Sequence, residues 1–418
     1  MGAQTSVALP PDAFSEHPTD ALVIGCGIIG ASIAWRLAGR GLTVRCLDPE
    51  PGGGATFAAA GMLAAVAEST FGEHDLMRLN VESAGLWPGF AAELESETGH
   101  PTGYRRTGTL TAAFDSDDRR QLRRVLALQR QWGLNAVEID ATEARRMEPS
   151  LGPRVAGAVW AADDHEADPR AVHAALMAGL SRRDVELVPR RAVALLTEHT
   201  ERVTGVLDDR GRPHRATTVI LAAGWGSKAV ASGRLLAATG DGPGDAAVLG
   251  PPGLDVPTRP VKGQVVRLDA RHEPSFRLHH VLRGIVQSRP VYAVPRENGE
   301  IVVGATSEEQ PDDRMITAGG LFALLRDARA LIPGLDELPV IDTTARARPG
   351  SPDNVPLIGD SGVPGLLLAT GHYRNGILLA PLTAAAVADR CLHGAFPDTV
   401  SPADPARFAD THRSMAAS

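Results

Sequence analysis

The chain is short of the residues that build disulfide scaffolds, membrane spans and polyanion-binding surfaces. Its 418 residues hold three cysteines, Cys26, Cys46 and Cys391. They are too few and too widely spaced for a disulfide framework, a metal-ligand set or a Cys-x-x-Cys redox pair. No uninterrupted apolar stretch approaches the roughly 20 residues that cross a bilayer. The first 20 residues contain no Lys or Arg, whereas a secretory leader starts basic and a mitochondrial one is rich in arginine. Residues 1–19 therefore read as a disordered lead, and the cytoplasm is the expected compartment, with the thiols reduced and acting as small hydrophobes. Basic charge is in deficit, 42 Lys and Arg against 50 Asp and Glu, for a formal net charge of -8. That speaks against nucleic acid or an anionic membrane surface as a partner. The histidines His272, His279 and His280 have no acid or cysteine at ligand spacing, so a solvated loop is expected there and no metal.

What the chain does have is glycine, 44 residues of it, placed where chemistry needs it. In ALVIGCGIIGASIAWRLAGRGLTVRCLD (21–48), an apolar run meets Gly25, Gly27 and Gly30 and then a helical pattern. A second apolar run ends in Asp48. This is G-x-G-x-x-G after a strand and before a helix: the first glycine makes the turn, the second admits a pyrophosphate, and the third lets helix and strand pack. The anion sits at the helix N-terminus. Asp48, 18 residues past Gly30, can bind ribose hydroxyls and would repel the extra phosphate of NADP. The motif alone leaves NAD and FAD open. The next segment, GGGATFAAAGML (52–63), favours FAD, because a tricyclic ring must be flanked by backbone and not by bulky side chains. Thr56 adds a hydroxyl within reach of a phosphate.

The remaining pattern predicts helices over about 74–100 and 116–132, and one opening at Asp168 as N-cap with Pro169 in its first turn. Strands are expected near 190–196 and 203–208, VILAAGWG (219–226) reads as a buried strand running into a glycine loop, and a long Gly/Pro-rich loop is expected over 239–257. Short alternating strands follow from 258 to 306, antiparallel in character. The stretch 365–381 reads as strand, glycine-bracketed turn and helix, and the last 20 residues as a polar tail.

Four segments in order carry a resemblance: AAAGML (58–63), VYAVPRENGEIVVGATSEE (291–309), RPGSPDNVPLIG (348–359) and ATGHYRNGILLAP (369–381). They resemble the FAD-dependent amine and D-amino-acid oxidase family, and within it the glycine oxidases of thiamine biosynthesis (ThiO type). The resemblance implies an α/β plus antiparallel β fold, in which a Rossmann-like FAD-binding domain (20–98, 160–235 and 342–398) interleaves with a D-amino-acid oxidase-like substrate domain (99–159 and 236–341). A tail over 399–418 follows.

For the cofactor, the resemblance implies FAD held non-covalently, with Ile28, Ile29, Asp48, Pro49, Ala55 and Thr56 at phosphates and ribose. Ala60, Gly61 and Met62 match backbone groups around the isoalloxazine, and Val193 matches a main-chain contact to adenine. His372, Tyr373, Arg374, Asn375, Gly376, Ile377 and Leu378 match the loop and helix start facing the flavin pyrimidine. A helix N-terminus suits that place physically, since a reduced flavin gathers negative charge there.

For the substrate, Arg348 matches the arginine that pairs with an amino-acid carboxylate. A guanidinium fork fixes a carboxylate at two points and so aims the adjacent C–H bond. Arg374, Tyr292 and Ser307 match positions lining the substrate pocket. Three departures from the family pattern, Arg346, Pro290 and Ser307, suggest an altered substrate shape.

The implied reaction is oxidation of glycine or a small related amine, with oxygen reduced to hydrogen peroxide and no side-chain base required. The partners expected are that substrate and O2, with a homo-oligomer open. An N-substituted glycine, sarcosine or a D-amino acid is the alternative substrate. Among rival classes, an NAD-dependent dehydrogenase would need no flavin loop, a disulfide reductase would need a cysteine pair, and an aromatic hydroxylase would need a Gly-Asp opening a helix.

Overall fold

The computed structural model describes residues 18–198, 202–233, 251, 254–273, 275–310 and 313–408. Of the lead expected over 1–19, residues 1–17 lie outside the described residues and Thr19 already belongs to the first strand; most of the expected 239–257 loop also lies outside them.

The run ALVI forms β1 (Thr19–Ile24), the helical pattern forms α1 (Ile28–Ala38), and the second apolar run forms β2 (Val44–Leu47). β1 is central. It pairs in parallel with β2 on one side and with Pro213–Leu221 on the other. Leu366–Thr370 adds a further parallel strand, with Leu357–Asp360 antiparallel at the edge. Ala21, Leu22 and Val23 are wholly buried, as a strand covered on both faces requires.

α1 is buried almost all round because the sheet covers one side and the helices Pro169–Arg182 and Gly376–His393 cover the other. Trp35, fully buried, meets Phe90 edge-on at 5.6 Å and donates Nε1 to Glu97 Oε2 at 3.1 Å. Burial of a side chain of this size contributes about 3 kcal/mol. Asp168 caps the helix Pro169–Arg182 through the amides of Arg170 and Ala171.

A second eight-stranded sheet runs in the order Val340–Gly350, Arg259–Asp269, Glu300–Gly304, Arg289–Pro295, Val281–Val286, Thr109–Ala113, Gly157–Ala161, Val137–Ile139. One of its pairings is parallel, between Val281–Val286 and Thr109–Ala113; the rest are antiparallel.

Two expectations are corrected. Residues 342–350, expected in the cofactor-binding domain, pair along Arg259–Asp269 and so belong to the second sheet. Residues 399–408, expected in a polar tail, form the turns Asp398–Ala403 and Pro405–Phe408. Val400 and Ala403 are buried there against Leu379 and Leu382, because the apolar residues spaced through this polar stretch find a core.

The helix Gly376–His393 carries Pro381 in its interior, where a ring without an N–H disturbs the first turns. The N–H that Pro381 lacks would have met the Ile377 carbonyl; one residue on, the carbonyl of Leu378 accepts from Ser83 Oγ at 2.6 Å and Trp87 Nε1 at 2.9 Å, both from the helix His74–Thr98. Two buried donors from a neighbouring helix thus fix where Gly376 starts.

Candidate functional site

A cavity of about 410 Å³ lies between the C-terminal ends of the first sheet's strands and one face of the second sheet. Gly25, Gly27, Ile28 and Ile29 line it at the start of α1, with Asp48 and Pro49 at the end of β2. Gly25 has φ +93, and a Cβ on Gly30 would overlap the Gly25 carbonyl oxygen. Gly30 therefore lies behind the lining, and its task is helix–strand packing. Asp48 stitches the turn together: Oδ2 accepts from the Cys26 amide at 2.7 Å and Oδ1 from the Glu50 amide at 2.8 Å. Thr56 Oγ1 accepts from the Ile28 amide at 3.0 Å.

The small residues expected beside a ring are in place. Ala55, Thr56, Ala60, Gly61 and Met62 line the cavity. Their backbone is held from behind: Ala167 N donates to Gly61 O at 2.9 Å, and Arg296 donates to the carbonyls of Ala60 and Ala167. Gly61 has φ +78, and a Cβ there would overlap Ala167 O. Across the cavity stand His372, Tyr373, Arg374, Gly376 and Ile377. Burial drives the His372 imidazole down to about 3, so it is neutral, and Nε2 meets Thr383 Oγ1 at 3.0 Å.

Helices Ser116–Gln131, Ala141–Met147, Pro169–Arg182 and Ala318–Leu331 are capped by Asp115, Asp140, Asp168 and Thr317. Two long helices that open onto the cavity, α1 and Gly376–His393, have neither a side-chain cap nor an acid in the first turn. Their N-terminal dipoles are left to act on whatever anion enters.

The face of the second sheet completes the wall. Arg283 stands opposite Tyr292, Tyr292 opposite Gly304, and Gly304 opposite Val265. Gly263 stands opposite Arg346, and Val261 opposite Arg348. Directly paired residues share a face, so one side of this sheet presents Tyr292, Arg346 and Arg348 together to the cavity. Arg348 Nη1 donates to Thr306 O at 3.1 Å, and Tyr373 N bonds Pro349 O at 2.8 Å, tying the 372–376 loop to the Arg348 strand. Burial raises the Tyr292 phenol.

Four further expected residues do not reach the cavity. Ser307 is exposed and outside the lining. The bridge between Lys262 and Glu308 puts the Glu308 and Thr306 side chains inward, where they bond each other, and turns Ser307 to solvent. Val193 is buried while its neighbours Arg191 and Ala192 line the cavity. Asn375 and Leu378 are buried beneath the loop, the latter with its carbonyl turned to Ser83. Of the departures, Pro290 is exposed and away from the cavity. Arg346 lines it but is engaged: Nε donates to Gly53 O at 2.7 Å and its guanidinium lies 5.3 Å from the Phe57 ring.

Sequence reasoning missed Glu68, Arg191, Trp225 and Arg314, all of which line the cavity. Glu68 lies only six residues beyond Met62, but no local pattern distinguishes it from a surface acid. Among the described residues, no group of three or more His, Cys, Asp or Glu could hold a metal, and no helix is long and apolar enough to cross a membrane.

A dinucleotide cradle on a mixed parallel sheet, walled by an antiparallel sheet, defines a flavoprotein oxidoreductase. Residues 20–390 match the DAO family of FAD dependent oxidoreductases, and the chain belongs to it; FAD is accordingly its cofactor. It is 32% identical over 372 residues to the bifunctional protein ThiO/ThiG of Trichormus variabilis, covering 88% of this chain and 52% of that protein. The chain thus spans about half the length of such relatives. It is 31% identical over 384 residues to the glycine oxidase of Geobacillus kaustophilus, covering 89% of this chain and 93% of the relative. The crystal structure of glycine oxidase from Geobacillus kaustophilus superposes with a TM-score of 0.81 at 28% identity, covering 93% and 98% of the two chains.

Proposed function

We propose that the chain is an oxidase of glycine or a small related α-amino acid, which it converts to the imino acid with release of hydrogen peroxide. The observation that carries this reading is the position of Arg348. Its guanidinium faces the same cavity as the Ala60–Met62 backbone and the start of the helix at Gly376. A carboxylate bound there has its α-carbon directed at the space those two stretches enclose.

The residues fit FAD. Gly27 leaves the room a pyrophosphate needs, Asp48 and Thr56 hold the turn that receives it, and the uncapped helix starts favour its negative charge. FAD, when bound non-covalently there, supplies the two-electron acceptor that oxygen regenerates. The protein's own part is placement. Arg348 holds the carboxylate, Tyr292 packs beside it from the neighbouring strand, and the Ala58–Gly61 backbone keeps bulk out of the ring plane. The released imino acid hydrolyses to the oxo acid and ammonia, which for glycine gives glyoxylate. The ThiO name of the relatives supports a place in thiamine biosynthesis, supplying that imino product. The division into cofactor and substrate domains is part of the same reading, with the strand Val340–Gly350 moved to the substrate side.

Peroxide release across glycine, sarcosine, D-alanine and N-carboxymethyl amines tests it. Turnover of at least one of these by the yellow protein is expected. Silence with all of them, in a protein carrying a full complement of flavin, removes the oxidase assignment.

A further inference from the structure

Glycine in solution is a zwitterion, and a cavity that recognises it must answer both charges. The cationic side is plain, with Arg348 and Arg374 in the wall. The lining contains three carboxylates, Asp48, Glu50 and Glu68. Asp48 is taken up by the amides of Cys26 and Glu50. Glu50 is paired with Arg314 at 2.8 Å, which holds its carboxyl below the usual range. Glu68 is different: it lines the cavity from the segment that follows Met62, with its side chain 12% exposed.

Glu68 is held in place from several directions. Asp164 accepts from the amides of Val66 at 2.8 Å and Ala67 at 2.9 Å, and Gln129 donates to the Val66 carbonyl at 2.9 Å. The carboxylate itself meets Arg283 Nη1 at 2.6 Å, and the same nitrogen lies 3.7 Å from Met62 Sδ. Arg283 is directly opposite Tyr292 in the sheet, so this ion pair sits on the same face as Arg348, three strands along from the strand that carries Val265. Arg283 is outside the cavity lining and Glu68 is inside it. A single acid on a turn fixed by two buried polar side chains, and braced from behind by an arginine, is ordered before any ligand arrives. Such preorganisation is what a recognition group requires.

We infer that Glu68 is the acceptor for the substrate's amino group and sets the enzyme's preference for amines. Arg283 is its positioning residue. The substrate is held at two points, the carboxylate at Arg348 and the nitrogen at Glu68, which orients the carbon between them. A secondary amine keeps one N–H for this contact, so a substituent on nitrogen is accommodated only where it can pass the Glu68–Arg283 pair. This inference rests on the oxidase reading above.

The test uses flavin-loaded enzyme and the isosteric change Glu68→Gln, with two probes. Glycine is followed by peroxide release. Acetate, which has the carboxylate and no amine, is followed by perturbation of the flavin absorption bands. The expected result is a rise in KM for glycine of ten-fold or more in Glu68→Gln, with acetate binding within two-fold of the unmodified enzyme. Arg283→Lys should retain part of the glycine affinity, and Arg283→Leu should lose it while still binding acetate. An unchanged KM for glycine in Glu68→Gln overturns the inference. An equal loss of glycine and acetate affinity also overturns it, since that reports a merely structural role. If the unmodified enzyme turns over no amine at all, it is the oxidase reading that fails.

Discussion

Gly263 lies directly beneath Arg348: a Cβ built on it would overlap Nη1 and come within 2.6 Å of Cζ. The absent side chain gives the guanidinium its seat in the cavity wall. The atoms displaced belong to the far end of a flexible side chain, so Gly263→Ala should fold normally and move Arg348. About a ten-fold rise in KM for a carboxylate-bearing substrate is expected, with flavin content unchanged. Steady-state kinetics beside the flavin-to-protein absorbance ratio check this.

Arg348→Ala removes the fork itself. Charge-assisted hydrogen bonds of this kind contribute about 2–3 kcal/mol, or roughly 30- to 150-fold in kcat/KM. The protein should remain yellow. Loss of colour would show that Arg348 serves the cofactor instead.

Gly27 and Gly30 separate the two uses of glycine in one motif. A Cβ on Gly27 meets only Thr56 Oγ1, at 3.2 Å, whereas one on Gly30 strikes the Gly25 backbone. Gly27→Val should yield folded, pale protein, because the side chain fills space meant for the pyrophosphate. Gly30→Ala should lose about 1–3 kcal/mol of stability through overpacking. Denaturant unfolding together with flavin content distinguishes them.

Arg346, which stood out in the sequence as a departure two residues before Arg348, braces the Gly53–Phe57 loop. Phe57 is held between Arg346 and Arg170, the latter at 3.8 Å and itself paired with Asp342 at 2.9 Å. Arg346→Ala should weaken FAD retention by about 1–2 kcal/mol and leave KM for substrate nearly unchanged. Dialysis against FAD-free buffer, read by flavin fluorescence, measures this.

Asp164 predicts a pH dependence. Burial raises its carboxyl to about 7 from 3.8, so between those values the folded protein holds a proton that the unfolded chain has released. Stability then falls as pH rises, by on the order of 1 kcal/mol per pH unit, and the loss is complete above the folded pKa. His372 acts oppositely: lowered to about 3, it withdraws stability as pH falls below about 6.5. Asp164→Asn deletes only the first effect. The stability gap between the unmodified protein and this variant should therefore narrow from pH 5 to pH 8, as measured by urea unfolding.

Local signals made parts of this site legible. The 25–48 cradle could be read because turn, helix and second strand follow within a single βαβ unit, and the Asp168–Pro169 helix start because a cap needs only adjacent residues. The strand Val340–Gly350 escaped notice because its inward residues include Arg346 and Arg348, which break the apolar alternation of an ordinary strand. Ser307 was misplaced because a bridge between Lys262 and Glu308, 46 positions apart in number and adjacent in space, decides which way it points.

The sequence by itself determined the dinucleotide turn and the small-residue stretch beside it, since each depends on steric and hydrogen-bonding rules acting over a few neighbouring residues, whereas Arg348 was singled out by the family resemblance. The tertiary structure alone decided that Glu68 meets Arg283, that Gly263 makes room for Arg348, and that Ser83 and Trp87 aim the helix starting at Gly376. Those relationships come from cross-strand register and helix packing, where the partners are far apart along the chain and no local periodicity encodes which will touch.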